Sequence, residues 1–156
     1  TLFYFQFLQS EPTDEHFWTN QINTPAVNTW LGQAFERVCL AHVEQIKRKL
    51  GISGVLTEVN SWYCKGNPEK GIFGSQIDML IVRKDQVINL CEMKYSQSEY
   101  TVTDNVDKSI RRKISDLVSV TGTRHAIYPT LITTYGLVEN SYSQGIQSVV
   151  TLDDLF

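Results

Sequence analysis

Gly74-Ser75-Gln76-Ile77-Asp78-Met79-Leu80-Ile81-Val82 and Leu90-Cys91-Glu92-Met93-Lys94-Tyr95 decide the fold of this chain. Each reads as an apolar strand, and a short polar turn at Arg83–Gln86 joins them into a hairpin. Three charged residues are set into these apolar runs, although charged side chains are rarely buried unless paired or bound to a metal. Glu92 and Lys94 are two apart, so in a strand they point to the same face. If the turn centres on Asp85, antiparallel pairing places Asp78 opposite Glu92, with Cβ atoms about 5 Å apart. The expectation is a small patch holding two carboxylates and an ammonium.

Upstream, Pro25 to Leu50 carries helical periodicity. Val27, Leu31, Ala34, Val38 and His42 form the expected core stripe, widened by Trp30, Phe35, Cys39, Val43 and Ile46. Glu36 falls within this apolar region, on the same helical face as Gly32, Cys39, Leu40 and Val43. Gly32 weakens a helix unless close approach of another backbone compensates, so it predicts that the helix comes near the sheet. Gly51 ends the helix, and Val55–Trp62 alternates as a first strand. Downstream, Val106, Ile110, Ile114, Leu117 and Val120 predict a second amphipathic helix opening at Asp104 and ending near Gly122. Ala126–Leu137 is a strand interrupted by Pro129, with Thr130–Tyr135 as its clean portion, and Gln147–Val150 is a short last strand. Thr151 and Asp154 have the spacing of a capping box. The order helix, three strands, helix, two strands implies an α/β fold, a mixed central sheet flanked by helices.

The 156 residues divide into an N-terminal aromatic strand and linker, 1–24, and one globular domain, 25–156. The strand is Leu2–Leu8; Phe17 and Trp18 in the following loop are expected to anchor it to the core. Unpaired, such a strand offers its edge to a neighbour or to a second copy. No apolar run approaches the roughly 20 residues of a membrane span. The three cysteines, Cys39, Cys64 and Cys91, are odd in number and far apart. They read as reduced packing residues of a cytoplasmic protein. A net charge of −3 gives no overall attraction to nucleic acid, so such a role must rest on local patches. No Cys/His cluster has zinc-site spacing and no Gly-rich phosphate loop is present.

Asp78, thirteen intervening residues, then Glu92-Met93-Lys94, with Glu36 on an upstream helix, closely resembles the PD-(D/E)xK nuclease superfamily. Ile77 stands where the motif's name has proline. Trp30–Glu36, Gly74–Asp78, Cys91–Lys94 and Leu131–Gly136 further resemble the C-terminal nuclease-like domain of predicted bacterial and archaeal AAA-type ATPases. This likeness runs from about Trp18 to Phe156. It implies a restriction-endonuclease-like fold, and ATPase and winged-helix parts upstream in the same polypeptide. It also implies that Asp78 and Glu92 bind Mg²⁺, with Mn²⁺ as substitute, and that Glu36 adds a ligand. Lys94 would polarise the attacking water or stabilise charge on the phosphorus, and Gln76 would orient the site. Oxygen ligands without His or Cys suit such hard cations. The substrate implied is DNA.

Simpler readings stand beside these. Asp78, Glu92 and Lys94 could be a buried ion pair with a spare carboxylate, an unfavourable arrangement without a further charge. Glu36 could be a core-edge residue bonded to Lys94 or to backbone. Lys108, Arg111, Arg112 and Lys113 read most simply as the solvated face of the second helix. Lys113, closest to the apolar stripe, is the best phosphate-contacting candidate, followed by Arg112 and Lys108. His42 reads as a satisfied core histidine. The whole could be a catalytically inactive module that binds nucleic acid or docks against the ATPase.

Overall fold

The computed structural model describes residues 24–156; the aromatic strand, Phe17 and Trp18 lie outside them. Two helices, α1 (Pro25–Ala41) and α2 (Val43–Lys49), precede three antiparallel strands, β1 (Thr57–Cys64), β2 (Ser75–Arg83) and β3 (Val87–Lys94). A short strand β4 (Tyr100–Thr101) leads into α3 (Asp104–Thr121), followed by β5 (Ala126–Thr133), β6 (Leu137–Val138) and β7 (Ser148–Thr151). The main sheet has the order β1-β2-β3-β5-β7, and β4 pairs with β6 separately. β5 and β7 run parallel to β3, so the sheet is mixed as expected.

Alternation along the central strands divides the core in two. Met79, Ile81, Cys91 and Met93 pack with Phe35, Cys39 and Ile46 from α1 and α2, and with Ile132, Val150 and Leu155. Leu80, Ile88 and Leu90 pack with Leu117 of α3. Neighbours on a strand point to opposite faces, so the sheet is sandwiched between the helices.

Several boundaries differ from expectation, each for a local reason. The predicted single helix breaks at His42, whose backbone (φ −116°, ψ 33°) leaves helical geometry. Its Nδ1 donates to the Val38 carbonyl at 2.8 Å, taking the acceptor that the His42 amide would use. That amide turns to Cys39 instead, at 3.1 Å. The His42 ring also packs on Phe156 with centroids 4.8 Å apart, so the histidine is structural. Of the residues expected to face the core from α1, Val27, Phe35 and Cys39 are buried and Val38 packs half-buried against it, while Leu31 and Ala34 are half-buried. β1 starts two residues late because the Val55 amide closes a turn onto Ile52.

β5 runs straight through Pro129. The Pro129 carbonyl accepts from the Gln147 amide, on the side of β7. A residue's N and C=O face the same side of a strand, so the missing N–H lies there too, ahead of the first β5–β7 pair, Thr130 with Ser148. The ladder to β3 loses nothing. In α3 the apolar stripe holds at Ile110 and Leu117, but Val120 is exposed and Asp116 is buried in its stead. All three cysteines are buried and free. The Thr151–Asp154 capping box is present.

Truncating a buried residue of the first core should be costly, and truncating Val120 should not. Ile81→Ala is expected to lower unfolding free energy by about 2–5 kcal/mol, and Val120→Ala to stay within about 0.5 kcal/mol of wild type. Urea titrations of both variants check this.

Candidate functional site

The predicted residues meet where β2 and β3 part. Their ladder runs from Val82 with Ile88 to Met79 with Cys91 and ends there, one position short of Asp78 and Glu92. The cause is a bulge. β1 pairs Asn60 with Leu80 and next Trp62 with Ile77, so Asp78 and Met79 together oppose Ser61. Alternation therefore flips: Ile77 joins Leu80 in the α3 core, while Met79 belongs to the α1 core. The β2–β3 register is thus the one expected, with Asp78 next in line to Glu92, but the ladder stops short of that pair beside a β2 bulge, a device common beside functional sites. Gln76 does share a side with Asp78, donating its Nε2 to Oδ1 at 2.8 Å.

Glu92 and Lys94 share a face as the strand period requires, with Lys94 Nζ 2.8 Å from Glu92 Oε1. The other carboxylate oxygen, Oε2, receives Lys113 Nζ from α3 at 2.6 Å. Lys113 thus belongs to the site. The Glu92 side chain is 14% exposed and bridges the sheet to α3. Burial alone would raise its pKa, but the Lys94 and Lys113 charges and their hydrogen bonds outweigh it and hold the carboxyl below its ordinary value. Burial would likewise lower Lys94; the Glu92 carboxylate overrides it and holds the ammonium above its ordinary value.

Glu36 reaches the group from α1. Burial, then the negative charges of Asp78 and Glu92, push its carboxyl up against the opposing pull of Lys94 and Lys113. It makes no ion pair among the described residues. Glu36 lines an open cleft of about 550 Å³ together with Asn28, Gly32 and the Met93–Gln97 segment. Gly32 plays a different part from the one expected. A Cβ there would meet none of the described residues within 4 Å, so the glycine does not serve close contact with the sheet.

Tyr100 has no signal in the strand or helix patterns. Burial raises its pKa against the Lys94 charge. It is placed by Gly136, whose carbonyl accepts from the Tyr100 amide at 2.8 Å. Gly136 has φ +97° and is locked by Thr133 Oγ1, which accepts its amide at 2.8 Å and donates to its carbonyl at 3.1 Å. Asp116 is the other unexpected residue. Fully buried, it accepts from Ser75 Oγ at 2.5 Å and from the Phe73 amide at 2.9 Å, fastening the start of β2 to α3. An Asp between Ile114 and Leu117 on an apolar helical stripe was the available clue.

Lys108 and Arg111 do not join the site; they pair one turn back with Asp104 and Asp107, at 2.6 and 2.7 Å. Arg112 instead lies over the Phe73 ring, 5.3 Å from its centroid. Glu36 feels the charges of Asp78, Glu92, Lys94 and Lys113, so this neighbourhood carries three carboxylates and two ammoniums, an excess of one negative charge when all are ionised. Such a donor set fits a hard divalent cation. In this conformation, though, both Glu92 oxygens are taken by ammoniums. Among the described residues no group of three His, Cys, Asp or Glu side chains is arranged to hold an ion.

The family model for DUF234, archaeal and bacterial proteins of unknown function, matches residues 4–110, and the chain belongs to that family. No curated protein matches it. Among solved structures, the crystal structure of AF1548, a protein of unknown function, is similar to this chain at 15% sequence identity with a TM-score of 0.45. The match covers 76% of this chain and 64% of that one.

Glu36 supplies a pH test. A folded-state pKa above the ordinary 4.5 means the folded protein binds this proton more tightly than the unfolded chain. The resulting stability is complete below about 4.5 and is lost as pH rises through the raised value. Glu36→Gln is therefore expected to raise Tm at pH 7, with the gap to wild type closing below about pH 4.5. Thermal unfolding of both proteins across this range checks the sign.

Proposed function

We propose that this member of the DUF234 family is a metal-dependent phosphodiesterase acting on DNA, as the nuclease part of a larger ATPase. The observation that carries the reading is Glu92 clamped between Lys94 and Lys113, with Asp78 and Glu36 beside it at the opening of the sheet. Two ammoniums that can turn to a phosphate, next to carboxylates that can turn to a cation, match the needs of phosphoryl transfer. The resemblance of Asp78, Glu92-x-Lys94 and helical Glu36 to the PD-(D/E)xK pattern supports the same conclusion.

Asp78 and Glu92 would hold the ion, Mg²⁺ or Mn²⁺, with Glu36 as a further ligand. Bound there, it supplies charge neutralisation and lowers the pKa of coordinated water. The rest is the work of the chain. The net negative group repels a phosphodiester until a cation offsets it. Releasing Glu92 frees the Lys94 and Lys113 ammoniums, both within one side chain's reach of that carboxylate, to neutralise the non-bridging oxygens. Lys94, on the same strand face as Glu92, orients the attacking water. Gln76 fixes the Asp78 carboxylate through its 2.8 Å hydrogen bond.

A second reading has its own support. Because both Glu92 oxygens are satisfied by lysines, the group is also a self-contained ionic knot, as an inactive module that binds nucleic acid or docks against a partner would carry. Cleavage assays separate the two. With Mg²⁺ or Mn²⁺, single-stranded, duplex and branched DNA are offered to wild type, Asp78→Ala and Lys94→Ala. Cutting is expected, and each substitution should reduce it by about 10²-fold or more. Cutting that survives both substitutions contradicts the reading, and binding without cutting favours the inactive module.

A further inference from the structure

The Glu92–Lys113 bridge has a second cleft on its other side. About 430 Å³ in volume, it is lined by Phe73, Gly74, Ser75, Gln76, Ser109, Arg112 and Lys113. Its wall is an aromatic ring held in water by unusually firm backbone geometry. Phe73 is 62% exposed, yet its amide donates to the fully buried Asp116 carboxylate at 2.9 Å. On either side of the ring the loop crosses itself at Gly66 and Gly74. A Cβ on Gly74 would lie 2.8 Å from the Gly66 nitrogen, and one on Gly66 would lie 2.8 Å from the Phe73 carbonyl oxygen. Gly74 also has φ +90°. Asn67 and Ile72 close the loop with a backbone bridge. An exposed Phe on such a fixed loop is presented to solvent, with the Arg112 guanidinium over its ring.

Charge completes the cleft. Lys108 and Arg111 are neutralised by their aspartates, whereas Arg112 makes no ion pair among the described residues and lies over the Phe73 ring at 5.3 Å. Lys113, at the inner end, touches Glu92. An aromatic face, a guanidinium and an ammonium thus follow one another toward the proposed reaction centre. Gln76 and Ser109 add hydrogen-bonding groups along the way.

We infer that this cleft is a nucleotide subsite: an unpaired base stacks on Phe73, and the phosphate beside it contacts Arg112 while the next one reaches Lys113. The inference rests on the phosphodiesterase reading for the position of the reacting phosphate. It also sets the form of the substrate. A base within a duplex keeps its faces covered, so the subsite takes single-stranded DNA or a splayed end. Stacking on one phenyl ring accepts any base, because every base has a π face.

The test uses single-stranded DNA carrying 2-aminopurine, mixed with the Asp78→Ala protein so that cutting does not interfere. Stacking on Phe73 quenches the probe's fluorescence. Adding Phe73→Ala is expected to abolish the quench and weaken single-strand affinity by roughly 5- to 150-fold. Phe73→Trp should restore both, and Arg112→Ala should weaken binding and flatten its salt dependence. Blunt duplex affinity should be indifferent to Phe73. Urea midpoints confirm that the variants are folded. A quench that persists in Phe73→Ala, or equal losses for single-stranded and duplex DNA, overturns the subsite. Cleavage by the unsubstituted protein is followed in parallel. DNA cut equally well with and without Phe73 rejects the subsite and leaves the phosphodiesterase standing. A Phe73-dependent quench without any cutting does the reverse.

Discussion

A glutamate carboxylate held between two ammoniums is the interaction on which the arrangement of this domain depends. Glu92 lies in the central strand of the sheet, accepting Lys94 from its own strand and Lys113 from α3. A largely buried carboxylate is expensive unless its oxygens are paired, and here both are engaged. The consequence is structural as well as electrostatic: α3 is pinned to the sheet by an ionic contact at the site and by Asp116 about one turn further along the helix. Helix, sheet opening and loop therefore keep a fixed relation. A ligand that turns the lysines away must supply positive charge to Glu92 in exchange.

In the proposed function that exchange would give the site its chemical logic. Three carboxylates and two ammoniums carry one excess negative charge, which would disfavour a phosphate until a cation joined. Binding of the proposed ion and of the polyanion would then be coupled through Glu92. Raised Glu36 and lowered Glu92 pKa values describe the same tension from two sides: one carboxylate lacks a direct cationic partner among the described residues, and the other has two.

Much of this was readable in the chain before any coordinates. Glu92 and Lys94 had to share a face because strand period is two, and Asp78 had to be nearby because the turn is short. The mixed sheet followed from element order. Asp78's actual placement was hidden, because a bulge adds one residue to a strand without any mark in hydrophobic pattern; Ile77, Met79 and Leu80 look alike whichever face they occupy. His42 broke the helix by a side-chain bond to Val38 that periodicity does not encode. The setting of Gly32 is not legible, because a glycine beside open space and one beside a backbone are identical in sequence. The nearness of Lys113 to the apolar stripe of α3 is visible in the sequence, but its partner Glu92 is not, since a helix–strand contact depends on how the helix is rotated against the sheet. Asp116 and Tyr100 are tertiary features, set by contacts across 41 and more positions and by the Thr133–Gly136 turn.

The proposed function requires that the carboxylates exchange their lysines for a divalent cation. Crystals soaked in Mn²⁺ and measured at the manganese absorption edge test it most directly. The expected result is an anomalous peak between Asp78 and Glu92, with at least one of the Lys94 and Lys113 ammoniums moved off the Glu92 carboxylate. Both lysines still on Glu92, with no peak beside Asp78 at saturating Mn²⁺, would contradict it.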